Sequence, residues 1–251
     1  MSVDSLIDAE TVDHPKVWAI ILAAFIGFLI GQILGALLQL VGASLTHYPG
    51  GLSALSNAAS PPWWANALGL VGLWIGFGSA IYYAYNVGNL RSLPSQWRVQ
   101  PSDVLYVALG VACQFIVDAA YIPFNVHHLN RPVNHLFGSV VGASFVLLIV
   151  MTTFLAPIME EWLFRGVLFR ALSEGGRHGA SRASVVFAVV TSAALFALAH
   201  GEPLQFAGLF FFGIVLALLV WRTKRLIPSI VTHVSFNGVA VAAIISQRSG
   251  H

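Results

Sequence analysis

Six side chains of types that do hydrolytic chemistry lie in otherwise apolar stretches. They are Glu160, Glu161 and Arg165 in APIMEEWLFRG, His200 at the end of FALAH, and His233 with Asn237 in HVSFN. An isolated ion at the centre of a bilayer costs about 2.5–3.5 kcal/mol or more, so charges kept there need a reason. Glu161 and Arg165 are four apart with the acid on the N-terminal side, the order that pairs on a helix. Paired, they largely neutralise each other and clamp the local backbone. Glu160 is rotated by about 100° from Glu161 on a helix and cannot share Arg165 equally. Such a leftover carboxylate needs a polar partner or holds its proton, the condition for a general base or acid. His233 and Asn237, also four apart, project from one face, and His200 follows Phe196 by one turn. If their helices bundle, a carboxylate, two imidazoles and a carboxamide meet. That set can activate water and stabilise an oxyanion, as peptide-bond hydrolysis requires.

The elements that must position these groups are membrane helices. Of 251 residues, 57% are hydrophobic and only 9% are charged, against about 25% charged in soluble domains. A net charge of +2 without a basic tract gives no reason to expect nucleic acid as a partner. The single cysteine, Cys113, excludes a disulfide framework. Spans of about 20 apolar residues are expected at Val17–Ser44, Trp63–Tyr85, Val104–Phe124, Leu136–Leu172, Ala183–His200, Leu204–Trp221 and Ile227–Ser246. The expected fold is all-α, a polytopic transmembrane bundle of about seven or eight helices. Its parts would be a cytoplasmic segment 1–16, N-terminal helices over 17–135 and a catalytic core over 136–251. The N-terminus carries Asp4, Asp8, Glu10 and Asp13, the wrong charge for a signal peptide, so the first span reads as a retained membrane helix. The 37-residue stretch from Leu136 is too long for one simple crossing, and Pro157 is expected to break it.

Orientation follows from the basic residues. With the N-terminus inside, one side receives Lys16, Arg91, Arg98, Arg170, Arg177, Arg182, Arg222, Lys224 and Arg225, and the other Arg131 and Arg248. The positive-inside rule places the first group in the cytoplasm. Small residues at helical spacing, Gly27, Gly31 and Gly35 and then Gly138 and Gly142, read as close-packing stripes. Gln114 with Asp118 reads as a local structural pair, and His127, His128 and His135 as a solvated loop.

Taken in order, Glu160-Glu161-x-x-x-Arg165, Phe196-x-x-x-His200 and His233-x-x-x-Asn237 resemble the three signature motifs of the CPBP family of intramembrane proteases. This family comprises the type II CAAX prenyl endopeptidases and the bacteriocin-processing and immunity-associated membrane proteases. The resemblance covers about residues 136–246. It implies an intramembrane endopeptidase in which Glu160 and His200 activate water, His233 and Asn237 form the oxyanion hole, and Glu161 and Arg165 support them. It further implies a cavity open toward the cytoplasm and the lipid, and membrane-embedded or lipidated, CAAX-like peptides or proteins as substrates. The composition suggests a bacterial cytoplasmic membrane.

No cofactor is expected. The helical zinc motif H-E-x-x-H is absent. Zinc held by Glu160, His200 and His233 is the alternative, but each imidazole would then need an outer acceptor, and no spare intramembrane carboxylate lies near either in sequence. The competing function is a non-catalytic membrane immunity or scaffold protein whose polar cluster serves folding. A proton-coupled transporter ranks third, since internal repeats are missing. One tension remains: counted along their own helices, His200 lies about 25 Å from the cytoplasmic face but His233 only about 10 Å.

Overall fold

The computed structural model describes residues 16–124, 135–138, 140–174 and 181–249. The expectations placed on the acidic N-terminus, on His127, His128 and Arg131, and on Arg177 lie outside these residues. Seven helices are long and apolar enough to cross a membrane: α1 Val17–Leu45, α2 Trp63–Asn86, α3 Pro101–Tyr121, α4 Gly142–Ser173, α5 Arg182–Ala199, α6 Pro203–Thr223 and α7 Ile227–Arg248. No strand occurs among the described residues, so the polytopic all-α bundle is the fold. Large apolar side chains such as Leu22, Phe25, Ile33, Phe115 and Phe187 point outward, as a chain dissolved in lipid requires. The protein is a multi-pass integral membrane protein.

Apolar surface gives little drive for helices to associate in lipid, so close backbone packing must do it. The α1–α2 pair does this with glycine on both sides. A Cβ at Gly27 would sit 2.6 Å from the Gly76 carbonyl oxygen, and one at Gly31 would sit 2.9 Å from Leu73 Cα. The expected stripe on α1 is therefore one half of a seam, the other half being Gly69, Gly72 and Gly76. The second stripe is not one. Gly138 lies in a turn ahead of α4, and Gly142 starts the helix at φ +64 with open space where a Cβ would stand.

Helix α4 threads the centre of the bundle, and Pro157 does not break it. The backbone switches to the wider π register over Met151–Leu155, where the Ala156 N–H donates to the Met151 carbonyl five residues back. In that register the N–H that Pro157 lacks would have served the Thr152 carbonyl. Asn237 Nδ2 from α7 donates to it instead, at 3.1 Å. Proline thus frees a carbonyl that a site residue satisfies. A second π segment, Trp162–Phe169, follows the two glutamates; such segments cluster at functional sites.

The helix ends form two contiguous faces. At one, the Lys16 N–H bonds Gly88 O, Arg170 Nη2 donates to Arg91 O, and Arg225 grips both Asp103 oxygens at 2.7 and 2.8 Å. At the other, Asn66 Nδ2 donates to Leu136 O and His135 bonds Ala58 O. There too, Arg248 donates to the carbonyls of Val140, Phe137 and Gly138.

Candidate active site

The four groups named from the sequence converge from three helices. Glu160 Oε2 lies 3.9 Å from His200 Nε2 and 3.8 Å from His233 Nε2. These separations are short enough for one water to bridge the acid and the imidazoles. Glu161 turns the other way and is fully buried, with Oε1 accepting from Arg165 Nη1 at 2.8 Å. Arg165 is equally buried; its Nη2 donates to Gly213 O on α6 at 3.1 Å, and its guanidinium lies 4.4 Å above the Phe196 ring. The clamp read from the spacing is present, and it ties α4 to α5 and α6 as well.

Both imidazoles are held by their Nδ1 atoms. His200 Nδ1 is 2.8 Å from Phe196 O, and His233 Nδ1 is 3.1 Å from Glu161 Oε1. A carbonyl and an arginine-paired carboxylate can only accept, so each Nδ1 carries a proton and each Nε2 faces Glu160. This overturns one step of the sequence argument. The absence of a carboxylate near either histidine was the ground for disfavouring zinc, yet Glu161 serves Arg165 and His233 together. The donor chemistry of Glu160, His200 and His233 is therefore suitable for zinc, with outer acceptors in place. The spacing is wider than zinc requires: tetrahedral ligands at 2.0–2.1 Å stand about 3.3 Å apart, and no group of three His, Cys, Asp or Glu among the described residues is arranged to hold a metal ion.

Phe196 organises the centre in a way its place in FALAH did not reveal. Its ring meets those of His200, His233 and Phe164 edge-on, at 4.7, 5.5 and 5.5 Å between centroids. Phe212 flanks His233 from α6 at 5.4 Å. These rings pack against the imidazoles and leave His233 buried while His200 stays partly exposed. Gly213 and Thr152 act through backbone carbonyls, which no residue type announces.

The depth tension between His200 and His233 resolves through helix lengths. From Glu160, α4 runs about 20 Å further to Ser173, and His200 is about 27 Å from the start of α5, at 1.5 Å per residue. His233 is only about 9 Å from the start of α7 by the same count. The α4–α5 hairpin therefore projects well beyond the α6–α7 turn, and both histidines reach Glu160.

His200, His233 and Asn237 line a cavity of about 440 Å³. Gln114 and Asp118 are the hydrogen-bonded pair that their spacing suggested, at 2.9 Å. They are also on the wall of this cavity, together with Tyr121 and Phe236.

Comparison with known proteins covers part of the chain. Residues 142–239 match the family model of the Rce1-like type II CAAX prenyl endopeptidases. The membrane-embedded CAAX protease MroQ of Staphylococcus aureus (strain USA300) is 29% identical over 103 residues. That stretch is 41% of this chain and 41% of the relative, so the match spans about two fifths of the relative's length. No solved structure matches. The matched segment begins with the first residue of α4 and contains Glu160, Glu161, Arg165, His200, His233 and Asn237; over this segment the chain is similar to the Rce1-like type II CAAX prenyl endopeptidases.

Proposed function

We propose that this protein is an intramembrane endopeptidase that uses Glu160 and His200 to activate water against a membrane-embedded or lipidated, CAAX-like peptide or protein. The carrying observation is the placement of Glu160 Oε2 within 3.9 Å of two Nε2 atoms from separate helices. Water held between them loses its proton to Glu160, and the lone pair on neutral His200 Nε2 fixes its orientation. The resulting hydroxide adds to the scissile carbonyl. Asn237 spends one N–H on Thr152 O and keeps its second for the developing oxyanion. His233 can join it only as imidazolium, because its Nδ1 proton is already given to Glu161. Glu160 then returns its proton to the leaving amine, which restores the resting state.

No step of this scheme passes through a metal, in keeping with the spacing of the three donors. Unchanged activity in the presence of a strong chelator is expected; loss that zinc restores would replace the scheme. The catalytic core is taken as 136–251, in a bacterial cytoplasmic membrane with the N-terminus cytoplasmic. A scaffold reading explains the Glu161–Arg165–His233 network but leaves Glu160 without a task. The test is comparative proteomics of membranes from cells producing the wild type or Glu160→Ala at equal levels. Substrates accumulate uncleaved with the variant if the proposal holds. Identical peptide profiles would reject it.

A further inference from the structure

The cavity has a direction, and charge gives that direction a side. Most lining residues belong to one half of the bundle: Leu70 early in α2, Tyr121 at the end of α3, Leu136 and Phe137 ahead of α4, His200 in the α5–α6 turn, and Val241 late in α7; His233, Phe236 and Asn237, in the first half of α7, lie at the inner end. The opposite half carries the basic residues. Among the described residues, Lys16, Arg91, Arg98, Arg170, Arg182, Arg222, Lys224 and Arg225 sit at or beyond the helix ends of that far face. The cavity end has Arg248, whose guanidinium is occupied by three carbonyls and the Phe145 ring. Eight against one is a strong bias, and basic residues in short loops stay cytoplasmic.

We propose that the active-site cavity opens away from the cytoplasm, so that the enzyme receives a peptide or protein segment presented at the outer leaflet. This is the reverse of the cytoplasmic opening that the family resemblance implied. The half of the site nearest the cytoplasm is closed by the structure itself. Arg165 and Glu161 are fully buried there, Trp162 packs edge-on against Trp97 at 5.1 Å, and Arg225 with Asp103 pins the α6–α7 turn to the start of α3. A segment entering from that face would have to displace these contacts. From the other face it meets an open chamber with Asp118 as its one carboxylate and no lysine or arginine among the described residues of its wall. The chamber therefore suits a segment that is neutral or basic where it passes Asp118. The substrate part of this inference rests on the protease reading; the sidedness does not.

The test is labelling of single cysteines by a membrane-impermeant maleimide in intact cells, in a Cys113→Ser background of the full chain. Thr46→Cys reports the cavity-side loop, Ala240→Cys the cavity wall, and Ser95→Cys the basic face. Labelling at Thr46→Cys and Ala240→Cys in intact cells, with Ser95→Cys labelled only after permeabilisation, is the expected result. Labelling of Ser95→Cys alone in intact cells would overturn the orientation. Labelling of Thr46→Cys with Ala240→Cys reached only after permeabilisation would overturn the position of the mouth. Cleavage is read separately, so an inactive protein with the expected labelling pattern would sink the protease reading and leave the sidedness standing.

Discussion

The α1–α2 hairpin and the α4–α7 core solve the same problem by opposite means. In lipid, helices gain little from apolar contact. The hairpin removes side chains, so that glycine backbones meet from Gly27 to Gly76. The core instead keeps two carboxylates, a guanidinium and two imidazoles; it pairs Glu161 with Arg165 within α4 and ties them to α6 through Gly213 O and to α7 through His233. The first solution gives a rigid wall with no chemistry in it. The second gives cohesion and leaves one group, Glu160, without a close charged partner. Chemistry is possible there because the neighbouring glutamate has taken over the structural work.

That division can be broken from either side. The largest effect is expected from Glu161→Ala, which leaves Arg165 buried with no counter-charge and frees His233 Nδ1. Breaking a buried pair in this way costs about 3–5 kcal/mol. Thermal unfolding in detergent should show a large drop in stability, with activity lost as well; a stable, active variant would refute the clamp. His200→Ala should instead leave stability nearly unchanged and lower kcat by roughly 10²–10⁴, the range for a lost acid–base partner. Equal loss of both would mean that His200 is structural. Gly72→Val should do the converse. Its Cβ overlaps the backbone N and Cα of Gly35 and stands 2.9 Å from the Gly31 carbonyl oxygen, so α1 and α2 must move apart, an overpacking that costs about 1–3 kcal/mol or more. Activity per folded molecule, measured at a temperature below the new transition, should be unchanged. If kcat falls with an intact fold, the wall is coupled to the site and the comparison is too sharp.

Much of this was legible because it is local. Four-residue spacings gave the Glu161–Arg165 pair and the shared face of His233 and Asn237, and hydropathy gave seven spans whose ends shift by only a few residues. What escaped was set by contacts between helices. The Glu161–His233 bond joins positions 72 apart, and without it the case against zinc looked stronger than it is. Pro157 carries an ordinary helix-breaking signal; the π register and Asn237 absorb it. The Gly138–Gly142 spacing imitates a packing stripe, but a residue at φ +64 starts a helix and does not sit inside one. Gln114 and Asp118 paired as expected, yet nothing in their spacing says that a cavity lies beside them.

Glu160 carries the account, and Glu160→Gln tests it with the least disturbance, since the amide keeps the size and hydrogen bonding of the acid but cannot take a proton. Single-turnover cleavage by the purified variant, on a substrate identified from the membrane comparison, should be slower by roughly 10²–10⁴, with unfolding temperature and substrate affinity near wild type. Cleavage at the wild-type rate would contradict the proposal that this carboxylate activates the water.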